Sequence, residues 1–226
     1  MKRVGNIFAG LTGLLFSSFA FPAEFLPAQF GDLAENFIDR LSLPELDEGQ
    51  MMLVRCAGSI SNRGKFSSAV CYENEDQTNL SKKAGATILR AMRVSRIHPA
   101  LVDGVHAWVW YNFSVLYKQD GPEQSIQVVD NHLINADVYG MNYTSAQRYD
   151  RKSWRCRFRG KKHHAVLTAT ISASGEITET SLIGDEAMSR TCRDSIVHAV
   201  EQSKFIPATI EGKPVSSTYA EIFFNP

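Results

Sequence analysis

Phe205-Ile206-Pro207-Ala208-Thr209-Ile210-Glu211-Gly212-Lys213-Pro214-Val215 decides how the chain is read, because its punctuation occurs twice. Ile97-His98-Pro99-Ala100-Leu101-Val102-Asp103-Gly104 matches its first eight residues 108 positions earlier, with proline, alanine, an acid and glycine at the same places. A second anchor lies upstream of each. Ile60-Ser61-Asn62-Arg63-Gly64-Lys65-Phe66 matches Ile171-Ser172-Ala173-Ser174-Gly175-Glu176-Ile177 at an offset of 111. Two anchors in the same order, with nearly the same spacing, predict an internal duplication.

The first copy reads as a strand over 51–61, a turn at Asn62-Arg63-Gly64, a strand over 65–72 and a helix from Asn79 or Ser81 to about residue 96. Ala84, Ile88, Ala91, Met92 and Ser95 recur at helical spacing and predict its buried face. The strand over 107–117 alternates Val109, Tyr111, Phe113 and Val115 with Trp108, Trp110 and Leu116, so both of its faces should be covered. The second copy repeats the order. Strands are expected over 165–172 and 176–182, then a helix over 186–204 capped by Asp185, with Met188, Cys192, Ile196, Ala199 and Ser203 inward, and a last strand over 216–224. The expected class is α+β: two ββαβ repeats, each an antiparallel three-stranded sheet with one helix across it.

Around these copies the chain divides into a signal peptide (1–20), an N-terminal arm and short helix (21–45), the first repeat (46–118), a connector (119–153) and the second repeat (154–226). Lys2 and Arg3 precede an uncharged run from Val4 to Phe19, and Ser18-Phe19-Ala20 offers small residues for cleavage, with Ala23 as the second choice. The run is short for a membrane span, so we expect export to the periplasm without stable membrane insertion. In the arm, Asp32 followed by Glu35 predicts a capped helix with Leu33, Phe37, Ile38 and Leu41 on its apolar stripe. The connector holds the apolar run Ile126-Gln127-Val128-Val129 and a tyrosine-rich polar part in which His132 reads as a surface residue.

The 24 basic side chains equal the 24 acidic ones, which argues against a nucleic-acid partner. Residues 32–48 are acidic and 148–162 basic. They read as solvated faces or as surfaces that meet, and the basic one alternatively as a site for an acidic partner. Within the basic run Trp154, Cys156 and Phe158 alternate with Arg155, Arg157 and Arg159, as in a half-buried strand.

Four cysteines in an oxidising compartment allow three pairings. Cys56 and Cys71 are symmetric about Arg63-Gly64 and would face each other in a hairpin, leaving Cys156 for Cys192. Each bridge would contribute roughly 3–4 kcal/mol on the loop-entropy model. No close Cys-x-x-Cys pair supports a metal site instead.

Lys204-Phe205-Ile206-Pro207-Ala208, Gly212-Lys213-Pro214-Val215 and Ile222-Phe223-Phe224, set after two strands and an alanine-containing helix, resemble the TonB C-terminal domain family. The resemblance covers about 164–224 and is fainter in the first copy. It implies a fold that grips an extended peptide by sheet-edge pairing, and a role linked to transport across the outer membrane. The membrane helix and proline-rich spacer of a TonB transducer have no counterpart in this sequence, which holds 8 prolines. The expectation is therefore a non-catalytic binding module with an envelope protein or peptide as partner. The surfaces expected to meet it are Trp108 with Trp110, the arginines Arg155, Arg157 and Arg159, and the last-strand edge at Thr218, Ala220 and Ile222.

No nucleophile elbow, zinc-protease helix, phosphate loop or dinucleotide fingerprint occurs. No catalytic residue, metal or cofactor is expected. His163-His164 reads as a solvated pair, and neither His98 nor His198 has a carboxylate partner implied by spacing. The resemblance points to a bacterial protein, in which the sequons at Asn79, Asn112 and Asn142 read as accidental. Two other readings stand beside the binding module: an exported hydrolase with a site between the repeats, and a structural homodimer joined through sheet edges.

Overall fold

The computed structural model describes residues 24–42, 44–72, 79–154, 164–184 and 188–224. The elements run β1 (Phe25–Leu26), α1 (Ala34–Ile38), β2 (Met51–Ile60), β3 (Phe66–Cys71), α2 (Asn79–Val94), β4 (Ala100–Val102), β5 (Val105–Ala107), β6 (Val109–Asp120) and β7 (Glu123–Val129). Then follow α3 (Ala136–Tyr139), β8 (Gln147–Tyr149), β9 (His164–Ile171), β10 (Ile177–Ile183), α4 (Arg190–Glu201), β11 (Lys204–Ile206), β12 (Ala208–Ile210), β13 (Lys213–Val215) and β14 (Ser217–Phe224). The class is α+β, with antiparallel pairing between all of these strands.

The central sheet runs β11-β8-β6-β2-β3, with β7 also on β6. It is wider than three strands because the connector supplies β7 and β8, and β11 comes from beyond α4. Alternation along β2 and β6 sends side chains to two different cores. Val54, Cys56, Ile60, Tyr111, Phe113 and Val115 meet Ile88 and Met92 of α2, together with Phe30 and Phe37 from the arm. The reverse face, through Ala57 and Trp110, meets Leu167 and Ile171 of β9, Ile196 of α4 and Tyr219 of β14. Fully burying one such side chain is worth about 1.5–3 kcal/mol, so the shared sheet fastens the two halves together.

The second sheet is β10-β9-β14. In α4, Cys192, Ile196 and Ala199 are buried, as the helical spacing predicts, and Val200 is buried beside them. The helix begins later than expected. Ser189 is its N-cap and accepts from the Cys192 N–H at 3.3 Å, while Asp185 lies outside the described residues.

The matched sequence anchors have matching geometry. Asp103-Gly104 have φ of 51° and 75°, and Glu211-Gly212 have 50° and 76°, the left-handed pair of a tight hairpin turn. Ser61 Oγ accepts from the N–H of Lys65 at 3.1 Å, and Ser172 Oγ from that of Glu176 at 3.1 Å. A Cβ on Gly64 would lie 1.9 Å from the Ile97 carbonyl oxygen, and one on Gly175 2.4 Å from that of Phe205. Glycine stands in both turns because the segment after the helix passes directly over them.

Two local expectations are corrected. Asp32 lies in a 3-10 turn (Gly31–Leu33) and does not cap α1, whose N-cap, Leu33, makes no side-chain bond. His132 is buried, because its ring finds an acceptor: Nε2 lies 2.8 Å from the Cys56 carbonyl oxygen. Residues 119–153 supply two strands, β7 and β8, to the central sheet. The signal segment 1–20 lies outside the described residues, and no described helix is long and apolar enough to cross a membrane.

Candidate functional site

Two extended segments, 24–29 and 144–149, are each laid antiparallel against the segment that follows a long helix, α2 or α4. In the first half, Phe25↔Val102 and Leu26↔Leu101 pair, and Gln29 bridges His98. In the second half, Gln147↔Ile206 pairs and Thr144 bridges Thr209. His98 and Ile206 are matched positions in the sequence, so Ala28-Gln29 and Ala146-Gln147 occupy equivalent places. This third match lies outside the two matched sequence stretches, and only pairing shows it. The two segments also bind each other: Ala28 N–H donates to Gln147 Oε1 at 2.8 Å, and Gln147 Nε2 donates to the Ala28 carbonyl at 2.6 Å.

A cleft of about 600 Å³ opens between these two arrangements. Leu26, Leu101 and His106 come from the first half, Thr144, Thr209 and Glu211 from the second. Leu26↔Leu101 and Leu101↔His106 are cross-strand partners, which sets the three in a row across β1, β4 and β5. Val128, Met141 and Tyr143 add apolar surface. The volume is in the range of small-ligand sites.

Asp130, which follows β7, lines the cleft. Its Oδ1 accepts from the Phe30 N–H at 3.0 Å and from the Tyr111 hydroxyl. Burial raises the Asp130 carboxyl above its ordinary range, against the lowering effect of these two bonds. Burial also drives the Tyr111 hydroxyl well above its usual range, so it stays a donor. At the rim, His98 Nε2 lies 2.5 Å from Asp32 Oδ1, and that hydrogen bond lowers the Asp32 carboxyl. His98 therefore has the carboxylate partner that spacing did not imply, because 66 residues separate the two.

A second polar cluster lies between β8 and β14. Arg148 and Glu221, both buried, pair at 2.7 Å. Tyr219 Oη donates to Glu221 Oε2 at 2.6 Å, and Arg151 reaches Glu221 at 3.4 Å. Burial pulls the Arg148 guanidinium down, but Glu221 and Tyr219 outweigh it and the net shift is upward. These basic residues meet Glu221, not the acidic run of 32–48.

The expected partner surfaces are dispersed. Trp108 is exposed, whereas Trp110 is buried beneath the Arg151 guanidinium at 4.5 Å, so the two form no common platform. On β14, Thr218 and Ile222 are half-buried and Ala220 is buried. The outer edge of β14 is partly occupied: Asn135 binds the Thr218 main chain, and Asn112 Nδ2 donates to the Ala220 carbonyl at 2.9 Å. Edge pairing at Thr218 and Ala220 is thereby blocked in this conformation. Arg155, Arg157 and Arg159 lie outside the described residues. Cys56 and Cys71 form a disulfide. Cys192 is also disulfide-bonded, and Cys156 lies outside the described residues.

Asp130, Gln147 and Asn135 went unread in the sequence, and Asn112 was read only as an accidental sequon. The Ala-Gln dipeptide shared with 28–29 becomes a signal for Gln147 only once the pairing is known. Compared with known proteins, the chain matches no family model, no curated protein and no solved structure.

Proposed function

We propose that the protein is an exported, non-catalytic binding module of the periplasm, built from two ββαβ units in tandem and similar to TonB C-terminal domains. Its partner is an extended segment of an envelope protein or a peptide, in a process linked to transport across the outer membrane. The observation that carries this reading is that the fold twice lays an extended segment along the strand after the helix, 24–29 on 98–103 and 144–149 on 204–209. Such surfaces satisfy main-chain groups with little regard to side chains, the physical basis of strand addition. With the β14 edge occupied at Thr218 and Ala220, the cleft between the two arrangements is the favoured place for the partner. Crosslinking the oxidised protein in its native envelope, followed by mass spectrometry, tests this. Joining of an envelope protein through cleft residues supports the reading. Self-crosslinks alone would shift it to a homodimer.

A second reading, an exported hydrolase, draws on Asp130 and the His98–Asp32 pair in and beside the same cleft. Turnover that survives a chelator and is lost in His98→Ala would establish it.

A further inference from the structure

We propose that the cleft recognises its ligand through a protonated amine, with Asp130 as counter-ion, and that in a peptide partner this amine is a lysine side chain. The proposal deepens the binding-module reading and rests on it.

Charge complementarity fixes the occupant. Among the described residues the cleft lining contains the carboxylates Asp130 and Glu211 and the imidazoles His98 and His106, but no lysine or arginine. His98 is engaged by Asp32. Asp130 is held in place as well as charged. Its bonds from Phe30 and Tyr111 both fall on Oδ1, so Oδ2 keeps its capacity to accept, and the residue lines the cleft. The Tyr111 ring is stacked on Phe113 at 5.6 Å with 13° between planes, and both are fully buried. The carboxylate is thus held in place before any ligand arrives, which reduces the ordering cost of binding. Burial makes its charge unfavourable in the empty cleft, and an incoming ammonium would relieve that. Leu26, Leu101, Val128 and Met141 supply apolar surface for the methylene stem of a lysine, which packs on such walls while its head seeks charge.

The test uses the mature, disulfide-intact protein and two capped pentapeptides, Leu-Leu-Lys-Leu-Thr and the same sequence with Nε-acetyl-lysine, titrated by calorimetry. The lysine peptide should bind at least about tenfold more tightly, and Asp130→Asn should bring that ratio close to one. Asparagine keeps the Oδ1 acceptor for Phe30 and Tyr111, so its thermal midpoint should stay near that of the parent. Equal affinity for the two peptides, a preference that survives in Asp130→Asn, or no binding of either overturns the proposal. Should Asp130→Asn unfold, butylamine titrated into the isotope-labelled parent replaces it. Amide shifts at Leu26, Leu101 and Thr144 support the site, and shifts elsewhere or none overturn it. Envelope crosslinks that map away from the cleft would remove the lysine anchor while leaving the binding module standing. Crosslinks to no envelope protein, with the lysine preference intact, would instead remove the macromolecular partner.

Discussion

The Asn135 side chain pairs with the main chain of Thr218 in both directions: Nδ2 donates to the carbonyl at 2.9 Å, and Oδ1 accepts from the N–H at 3.0 Å. One amide thus imitates a neighbouring strand at the edge of β14, and Tyr139 extends the imitation by donating to the Ser216 carbonyl at 2.5 Å. Unpaired, these groups would leave a sheet edge open to other chains.

Asn135→Ala is expected to cost about 1–3 kcal/mol, the range for orphaning buried polar groups. Hydrogen exchange at the Thr218 amide should accelerate in step. Asn135→Asp, which keeps the acceptor and loses the donor, should fall between. Unchanged exchange at Thr218 in the alanine variant would show that the pair does not hold the edge.

Arg148 and Glu221 form a buried pair, so removing one partner leaves a buried charge. Arg148→Met alone is expected to destabilise by about 3–5 kcal/mol, and adding Glu221→Gln should restore part of that loss. Chemical denaturation of the four members of this double-mutant cycle measures the coupling. Additive losses would mean that the two residues act separately.

Gly64 and Gly104 separate steric from conformational demands. Both have positive φ, but a Cβ on Gly104 meets nothing within 4 Å, whereas one on Gly64 collides with the Ile97 carbonyl. Gly104→Ala should therefore cost about 1–2 kcal/mol, the left-handed penalty alone. Gly64→Ala adds a backbone displacement and should lower the thermal midpoint clearly more. Equal midpoints would contradict the close approach.

His132 makes the fold acid-sensitive. Burial lowers its imidazole to about 4, from an ordinary 6.5. The unfolded chain then takes up a proton first as pH falls, so stability present above about pH 6.5 is lost progressively and levels off below about pH 4. The full span corresponds to about 3 kcal/mol. His132→Gln keeps a donor for the Cys56 carbonyl without the titration. The difference between its denaturation midpoint and the parent's should change across that window and be flat above it.

Features encoded over a few residues were legible without coordinates. The acid-glycine turns at 103–104 and 211–212 have local backbone causes, and the glycines at 64 and 175 add the close pass of the post-helix segment to a positive φ, so their punctuation repeats visibly. Helical spacing exposed the inward faces of α2 and α4, strict alternation exposed the two faces of β6, and symmetry about Arg63-Gly64 exposed the Cys56–Cys71 bridge. Trp108 and Trp110 mark the limit of that reasoning. Periodicity placed both on one side of a strand, but only the neighbouring chain determines which is covered.

The sequence by itself therefore determined the α+β class, the strand and helix periods and the hairpin bridge, because each follows from geometry within a turn or a few strand positions. Tertiary structure alone decided the cleft and the long-range polar contacts. Gln147 finds Ala28 across 119 residues, Asn135 finds Thr218 across 83, and Arg148 finds Glu221 across 73. Several of these partners are main-chain groups, which every residue possesses, so no pattern of residue types could announce them. Asp130 was hidden for the same reason: a carboxylate acquires its aim from the tyrosine and the backbone N–H that fold up against it.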